Sequence, residues 1–238
     1  MRLTKDQIQE LYSFVRKHYV EHYDLQMELV DHLANGIEEQ WHHHPERTFN
    51  EARFMEFKNF GVTGFEEVIN EKRRSVRKKY RSIVWGFYKD FFRLPKVILV
   101  LGLVLLIATV LILVPFEFRY NTIIGIFYCI VLILFYLVFK IRKDNELETV
   151  QYGKKWMLKD QIYTYGELIN IVNLLPVTLN MKYLRNNIPM DNVWVLVSFS
   201  IGITCTIILS YVLFFVIPSK ADELLAKTYP EYKMFNFL

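Results

Sequence analysis

Two sets of polar side chains in this sequence have types and spacings that could do chemistry. The first is Asp24, Glu28, Asp31 and His32, placed at i, i+4, i+7 and i+8, which is the spacing of one helical face. Three carboxylates and an imidazole gathered in this way can hold a metal ion or meet a partner, and Glu28 and His32 are one turn apart, near enough to share a cation or a hydrogen bond. The competing reading is structural: Asp24 caps a helix, the rest of the face is solvated, and His32 bonds a neighbouring helix. Metal sites want three or four ligands with fixed outer partners, and neither HExxH nor paired Cys/His spacing occurs. His18 with His22, and the run His42 to His44, could take zinc adventitiously, but no carboxylate or cysteine completes a recognisable geometry. No metal and no cofactor is therefore expected.

The second set is Glu167, Asn170, Asn173 and Asn180, inside the otherwise apolar stretch Ile162 to Tyr183. On a helix, Gly166, Asn170, Asn173 and Asn180 share a face with Glu167 beside it, and that face cannot look at lipid. An ionisable group within a span is costly, so Glu167 is a candidate for a proton or cation path, or for pairing with Lys159. The bland alternative is helix-to-helix bonding by the asparagines, with Glu167 near enough to the cytoplasmic end to reach headgroup water. An enzyme is not expected. The chain has no GxSxG, no glycine-rich phosphate loop and only nine glycines.

These side chains are positioned by elements of three different kinds. The 238 residues are 53% hydrophobic, and the hydrophobic ones concentrate after position 96. Residues 1–71 carry seven basic and fourteen acidic groups, so −7; residues 72–96 carry ten basic groups against Asp90, so +9; the remainder carries +2. An acidic head, a basic neck and an apolar body describe a cytosolic module tethered to a bilayer. The neck is led by Lys72, Arg73, Arg74, Arg77, Lys78, Lys79 and Arg81. Anionic lipids should attract such cations by roughly 1 kcal/mol each. A nucleic-acid role is not expected, because the membrane surface a few residues away would compete for the same charges.

Val97 to Phe116 follows with twenty uncharged residues, just long enough for the hydrocarbon core, and the preceding cations orient it by the positive-inside rule. Leu94-Pro95 predicts a bend between neck and span. Glu117 to Asn121 read as a short turn into a second span, Thr122 to Phe139, with Phe116, Phe118 and Tyr120 at the outer interface. The six cations between Lys140 and Lys159 put the next connector in the cytoplasm, and Val193 to Ile217 is a further uncharged span in which Ser198, Ser200 and Gly202 permit close helix contact. Cys129 and Cys205 lie in apolar segments and read as small hydrophobes. No cleavable signal peptide is visible.

Within the head, Thr4 to Gln7 has the form of a capping box, and Ile8, Leu11, Tyr12, Val15 and Tyr19 predict a helix from Lys5 to Tyr19. Leu25, Leu29, Leu33 and Ile37, with Val30, Ala34 and Trp41, predict a second helix that ends at His42 to Pro45. Thr48 to Glu51 opens a third with Gly61 as its left-handed stop, and Thr63 to Glu66 offers a similar start to a fourth that continues through the neck.

The stretch Tyr23 to Leu33, then Ile37-Glu38-Glu39, Thr48 to Ala52, and Phe60 to Phe65, resembles a family of uncharacterised bacterial multi-pass membrane proteins with a Y-D-x-Q-x-E-L-V-D-H-L signature. The head, over about residues 4–75, is also similar to HAAS-type signalling domains, from which it differs in being less acidic and in carrying His42 to His44. That resemblance implies a cytosolic domain that pairs with a regulatory protein, in some relatives a PadR-like transcription regulator.

Together these features predict an all-α chain: a cytosolic helical interaction domain of three to four short helices over 1–71, a basic juxtamembrane neck over 72–96, four transmembrane helices at 97–116, 122–139, 162–183 and 193–217, and a cytosolic tail over 218–238. The expected location is the inner membrane with both termini cytoplasmic. Regulation or scaffolding through protein contact is the leading function, with room for an oligomer. A small transporter or channel subunit using the polar third span is the alternative.

Overall fold

The computed structural model describes residues 2–152, 154–164 and 188–232, and all regular structure among them is helical. The chain divides into two compact units. The first gathers the described parts of Met1–Lys79, Thr149–Gln161 and Ala226–Leu238; the second gathers those of Tyr80–Glu148 and Ile162–Leu225.

In the first unit, α1 (Lys5–Lys17) starts on a complete capping box, in which Thr4 Oγ1 accepts the Gln7 N–H and Gln7 Oε1 accepts the Thr4 N–H. It stops two residues short of the expected Tyr19, because Tyr19 takes a left-handed backbone with φ 64°. The turn is fixed by Gln26, whose buried amide donates to the Val20 carbonyl at 2.7 Å. The next helix, α2 (Tyr23–His43), buries Leu25, Leu29, Leu33, Ile37 and Trp41 on its apolar stripe. Its N-cap is His22 rather than Asp24, which sits inside the first turn with its carboxylate committed elsewhere. A second complete capping box, Thr48 with Glu51, opens α3 (Phe49–Lys58).

Gln40 ties α2 to α3 by donating to the Ala52 carbonyl and to Glu56, while Trp41 Nε1 donates to the Arg47 carbonyl at 3.0 Å. Gly61 lies at φ 80° as the helix-stop pattern requires, and Gly64 at φ 56°. A side chain at Gly64 would also press on the Phe57 ring. The chain turns through these two glycines to deliver Phe65 against Phe57 and Phe60 at ring separations of 5.0 and 4.8 Å. The start of α4 (Glu66–Asp90) is a backbone turn, Glu66 N–H to the Thr63 carbonyl, and the helix runs through the basic neck as its sequence predicts.

The second unit contains three helices long and apolar enough to cross a membrane, consistent with a membrane protein: Lys96–Leu113, Phe116–Ile141 and Val193–Ser219. Helix α5 (Lys96–Leu113) follows the break at Leu94–Pro95. Its turn into α6 (Phe116–Tyr152) falls at Val114–Pro115, and residues 117–121, expected as the turn, are already helical. The proline explains the shift: Val114 is pushed to an extended ψ of 132°, and Pro115, lacking an N–H, suits a helix start. In chain order, α7 (Met157–Thr164) precedes and α9 (Ala221–Thr228) follows α8 (Val193–Tyr211), which continues through a wide π turn at Val212–Val216 to Ser219.

Leu111, Ile123, Met190 and Leu196 form a core at one end of this unit. Arg119 closes it, donating from Nε to the Val114 carbonyl (3.0 Å), from Nη2 to Ile112 (3.0 Å) and from Nη1 to Met190 (2.9 Å). The hydroxyls of Ser198 and Ser200 donate back to carbonyls four residues earlier in their own helix, which commits the one proton of each within α8.

Candidate functional site

The residues with chemical potential in the first unit converge where the segment 154–160 lies against the start of α2. The Tyr23 N–H donates to the Lys155 carbonyl at 2.7 Å. One residue on, Asp24 Oδ1 accepts the Met157 N–H at 3.1 Å. Met157 is the first residue of α7, whose N–H has no partner within the helix, so Asp24 caps α7 from a distant part of the chain. His22 Nε2 lies 3.3 Å from Asp160 Oδ2, and Lys155 Nζ lies 3.2 Å from Glu21 and 3.8 Å from Asp160. Three consecutive residues of α2's beginning thus hold three points of the connector.

The apolar counterpart is Trp156, 4% exposed, whose ring meets Tyr23 at 5.5 Å, Tyr229 at 5.0 Å and Tyr232 at 5.4 Å. A buried aromatic of this size removes roughly 200 Å² from water, worth about 5 kcal/mol at most. The half-exposed Lys155–Glu21 pair contributes below about 1 kcal/mol. The aromatic cluster therefore supplies the adhesion, and the hydrogen bonds set the register.

Asp24 Oδ2 and the Tyr229 hydroxyl are both enclosed and lack a well-formed hydrogen bond. They lie close enough to interact nonetheless: burial first, and the Asp24 charge next, hold the Tyr229 phenol far above its usual pKa. Geometry decides between a bond and a charge contact here, and it favours the contact. The Asp160 carboxyl behaves oppositely. Burial pushes it up, but the His22 hydrogen bond and the Lys155 charge outweigh burial and leave it below its ordinary value.

Of the four residues on the predicted polar face, Asp24 turns inward to the connector and Glu28 pairs with Lys72 of the neck. Asp31 is exposed and receives Asn35 at 3.3 Å, and exposed His32 packs edge-on to Phe60 at 5.4 Å. They do not converge on a common point. His18 stacks among Phe14, Phe57 and Phe65, its Nδ1 2.9 Å from the Phe14 carbonyl. No group of three or more metal-ligating side chains forms among the described residues.

In the neck, Arg73, Arg74, Lys78, Lys79 and Arg81 are exposed, while Lys72 and Arg77 are partly covered. Glu167, Asn170, Asn173 and Asn180, with most of the expected 162–183 span, lie outside the described residues. Sequence reasoning missed the role of Trp156, Tyr229 and Tyr232. The available signal was a tryptophan and two tyrosines stranded in polar, lysine-bearing stretches with no apolar periodicity of their own.

No protein-family model matches the chain, and neither a curated protein nor a solved structure matches it.

Proposed function

We propose that this chain is a bacterial inner-membrane protein of four spans whose cytosolic N-terminal head is a regulatory docking module, not an enzyme. The head grips the connector after the second span and the tail after the last, and it presents its remaining face to a soluble protein. The observation that carries this reading is the packing of Trp156 between Tyr23 and the tail residues Tyr229 and Tyr232. A partner that binds the head then bears on segments directly joined to spans.

The same packing supports the four-span topology. Head, connector and tail share one core and so lie on one side of the bilayer. Two span-length helices separate Lys79 from Trp156, an even number. Val193–Ser219 is the span-length helix described between Trp156 and Tyr229, and in this reading the sequence segment 162–183 supplies the second crossing there. The +9 neck puts the shared side in the cytoplasm, against anionic lipid. Asp31 and His32, exposed on α2, are the partner-contact residues in this reading, and a PadR-like regulator is the partner class that the resemblance implies.

The test is photo-crosslinking of the full-length protein in bacterial membranes from positions 31 and 32. A specific soluble partner should be captured, and Leu33→Asp, which breaks the α2 core, should abolish capture. Recovery of no partner from either position would count against the docking role.

A further inference from the structure

The last turns of α4 and the residues after it carry Trp85, Phe87, Tyr88, Phe91 and Phe92, followed by Leu94, and all of these belong to the second unit. Helical spacing separates them into two faces. Phe87 and Phe91 are turned to α8 and its end: the Phe91 ring meets Tyr211 edge-on at 6.0 Å, and Lys220 Nζ lies 5.3 Å over the Phe87 ring. Tyr88, at the edge of this face, has a phenol that burial first and Cys205 of α8 next push up to about 12. The other face is uncovered. Trp85 is 55% exposed, Phe92 43% and Leu94 80%, and the Tyr88 ring joins Trp85 to Phe92 through contacts of 5.5 and 5.2 Å. We propose that Trp85, Phe92 and Leu94 insert into the interface of a lipid bilayer, on the side where α5 begins.

The height of this stripe follows from the spans beside it. Leu111 of α5 and Leu196 of α8 share a core, and the two helices pack along each other from that end. Fifteen residues back from Leu111 is Lys96, and fifteen on from Leu196 is Tyr211, so the two stand at one height. Phe91 sits at the same height, since its ring meets Tyr211 and lies 5.0 Å below Lys96 Nζ. That height is a membrane boundary. The 18 residues of Lys96–Leu113 make about 27 Å of helix against about 30 Å of hydrocarbon, which leaves Lys96 at its edge. The 19 residues of Val193–Tyr211 span a similar length and bring Tyr211 to the same edge.

A side chain with an apolar body and a polar tip, such as tryptophan, is suited to this boundary. Ile98 and Leu99, both exposed, continue the uncovered apolar surface onto α5, so one lipid phase covers the whole stripe. The cations fit the same partner. Lys89 Nζ lies 5.1 Å over the Trp85 ring and Lys96 over that of Phe91, and such long stems can rest on apolar surface while their heads reach the phosphate layer. Arg93 is held by Asp90 at 3.3 Å and is not needed for this. The insertion requires a membrane around α5 and α8, as proposed above, but neither a soluble partner nor a fourth crossing.

The test is fluorine NMR of the full-length protein labelled with fluorotryptophan, in nanodiscs of phosphatidylcholine and phosphatidylglycerol. The four tryptophan signals are assigned by single Trp→Phe substitutions, and the lipid carries a nitroxide near the headgroup in one sample and near the chain end in another. Buried Trp41 and Trp156 serve as references, and Trp194, exposed at the start of α8, reports whether that helix meets lipid at all. The headgroup nitroxide should broaden the Trp85 signal to near loss, and the chain-end nitroxide should broaden it less. A Trp85 signal that stays sharp while Trp194 broadens overturns the insertion and leaves the membrane reading standing, with a second copy of the chain as the alternative cover. Stronger broadening of Trp85 by the chain-end nitroxide also overturns the interfacial placement. If Trp85 and Trp194 both stay sharp, the insertion and the membrane reading fall together.

Discussion

The Asp24 carboxylate accepts the Met157 N–H at 3.1 Å, across 133 positions of sequence. It does so at the one end of α7 where a backbone donor has no partner within the helix, so a side chain in the head sets where a helix of the connector begins.

Removing that acceptor should matter more than removing its charge. Asp24→Ala leaves a buried N–H unpaired and should cost about 1 to 3 kcal/mol. Asp24→Asn keeps a carbonyl oxygen for Met157 and gains an amide that can donate toward Tyr229, so it should stay within about 1 kcal/mol of wild type. Denaturant melts of the two variants in detergent distinguish these outcomes.

The Asp160 carboxyl gives the contact a pH dependence. Its folded pKa lies below its ordinary 3.8, so its contribution is fully present above that value and is lost as pH falls through the lower, folded one. The stability difference between wild type and Asp160→Asn should therefore shrink in acid, as pH falls below about 4. In His22→Ala the carboxyl should titrate higher, which NMR of a labelled aspartate would read.

Trp156→Ala removes the centre of the aromatic cluster and should cost about 3 to 5 kcal/mol. The tail should loosen with it. Cleavage by trypsin after the exposed Lys227 should accelerate in this variant, whereas Phe54→Ala, an exposed side chain on α3, should leave the rate unchanged.

Arg119 uses three guanidinium nitrogens on three carbonyls around the end of α5. A lysine cannot reproduce that fork, so Arg119→Lys should destabilise by roughly 2 kcal/mol, close to the effect of Arg119→Ala. A melt of each variant in the same detergent checks this.

The elements that were legible in the sequence are those built from neighbours. Thr4 with Gln7 and Thr48 with Glu51 announce their helices because each box closes over three residues. Gly61 marks its turn because few other residues accept φ 80°. Val114–Pro115 was legible by the same pre-proline rule that placed the break at Leu94–Pro95, yet the charged run Glu117 to Asn121 was the stronger pull toward a turn. Asp24 shows the limit. Its spacing with Glu28, Asp31 and His32 is that of a shared face, but a helix's first turn can bend one member of such a face to a partner no local pattern names. Lys154 and Lys155 count in the sequence only as connector cations, and Trp156 belongs to no local pattern, because what they touch is set by how distant segments meet.

Amide hydrogen exchange of the full-length protein tests most directly whether the head holds the connector. Wild type should show slow exchange at Tyr23 and across Met157–Asp160, with faster exchange at both in Asp24→Ala and Trp156→Ala. A connector that exchanges at solvent rates in wild type, or that ignores both substitutions, would contradict the account.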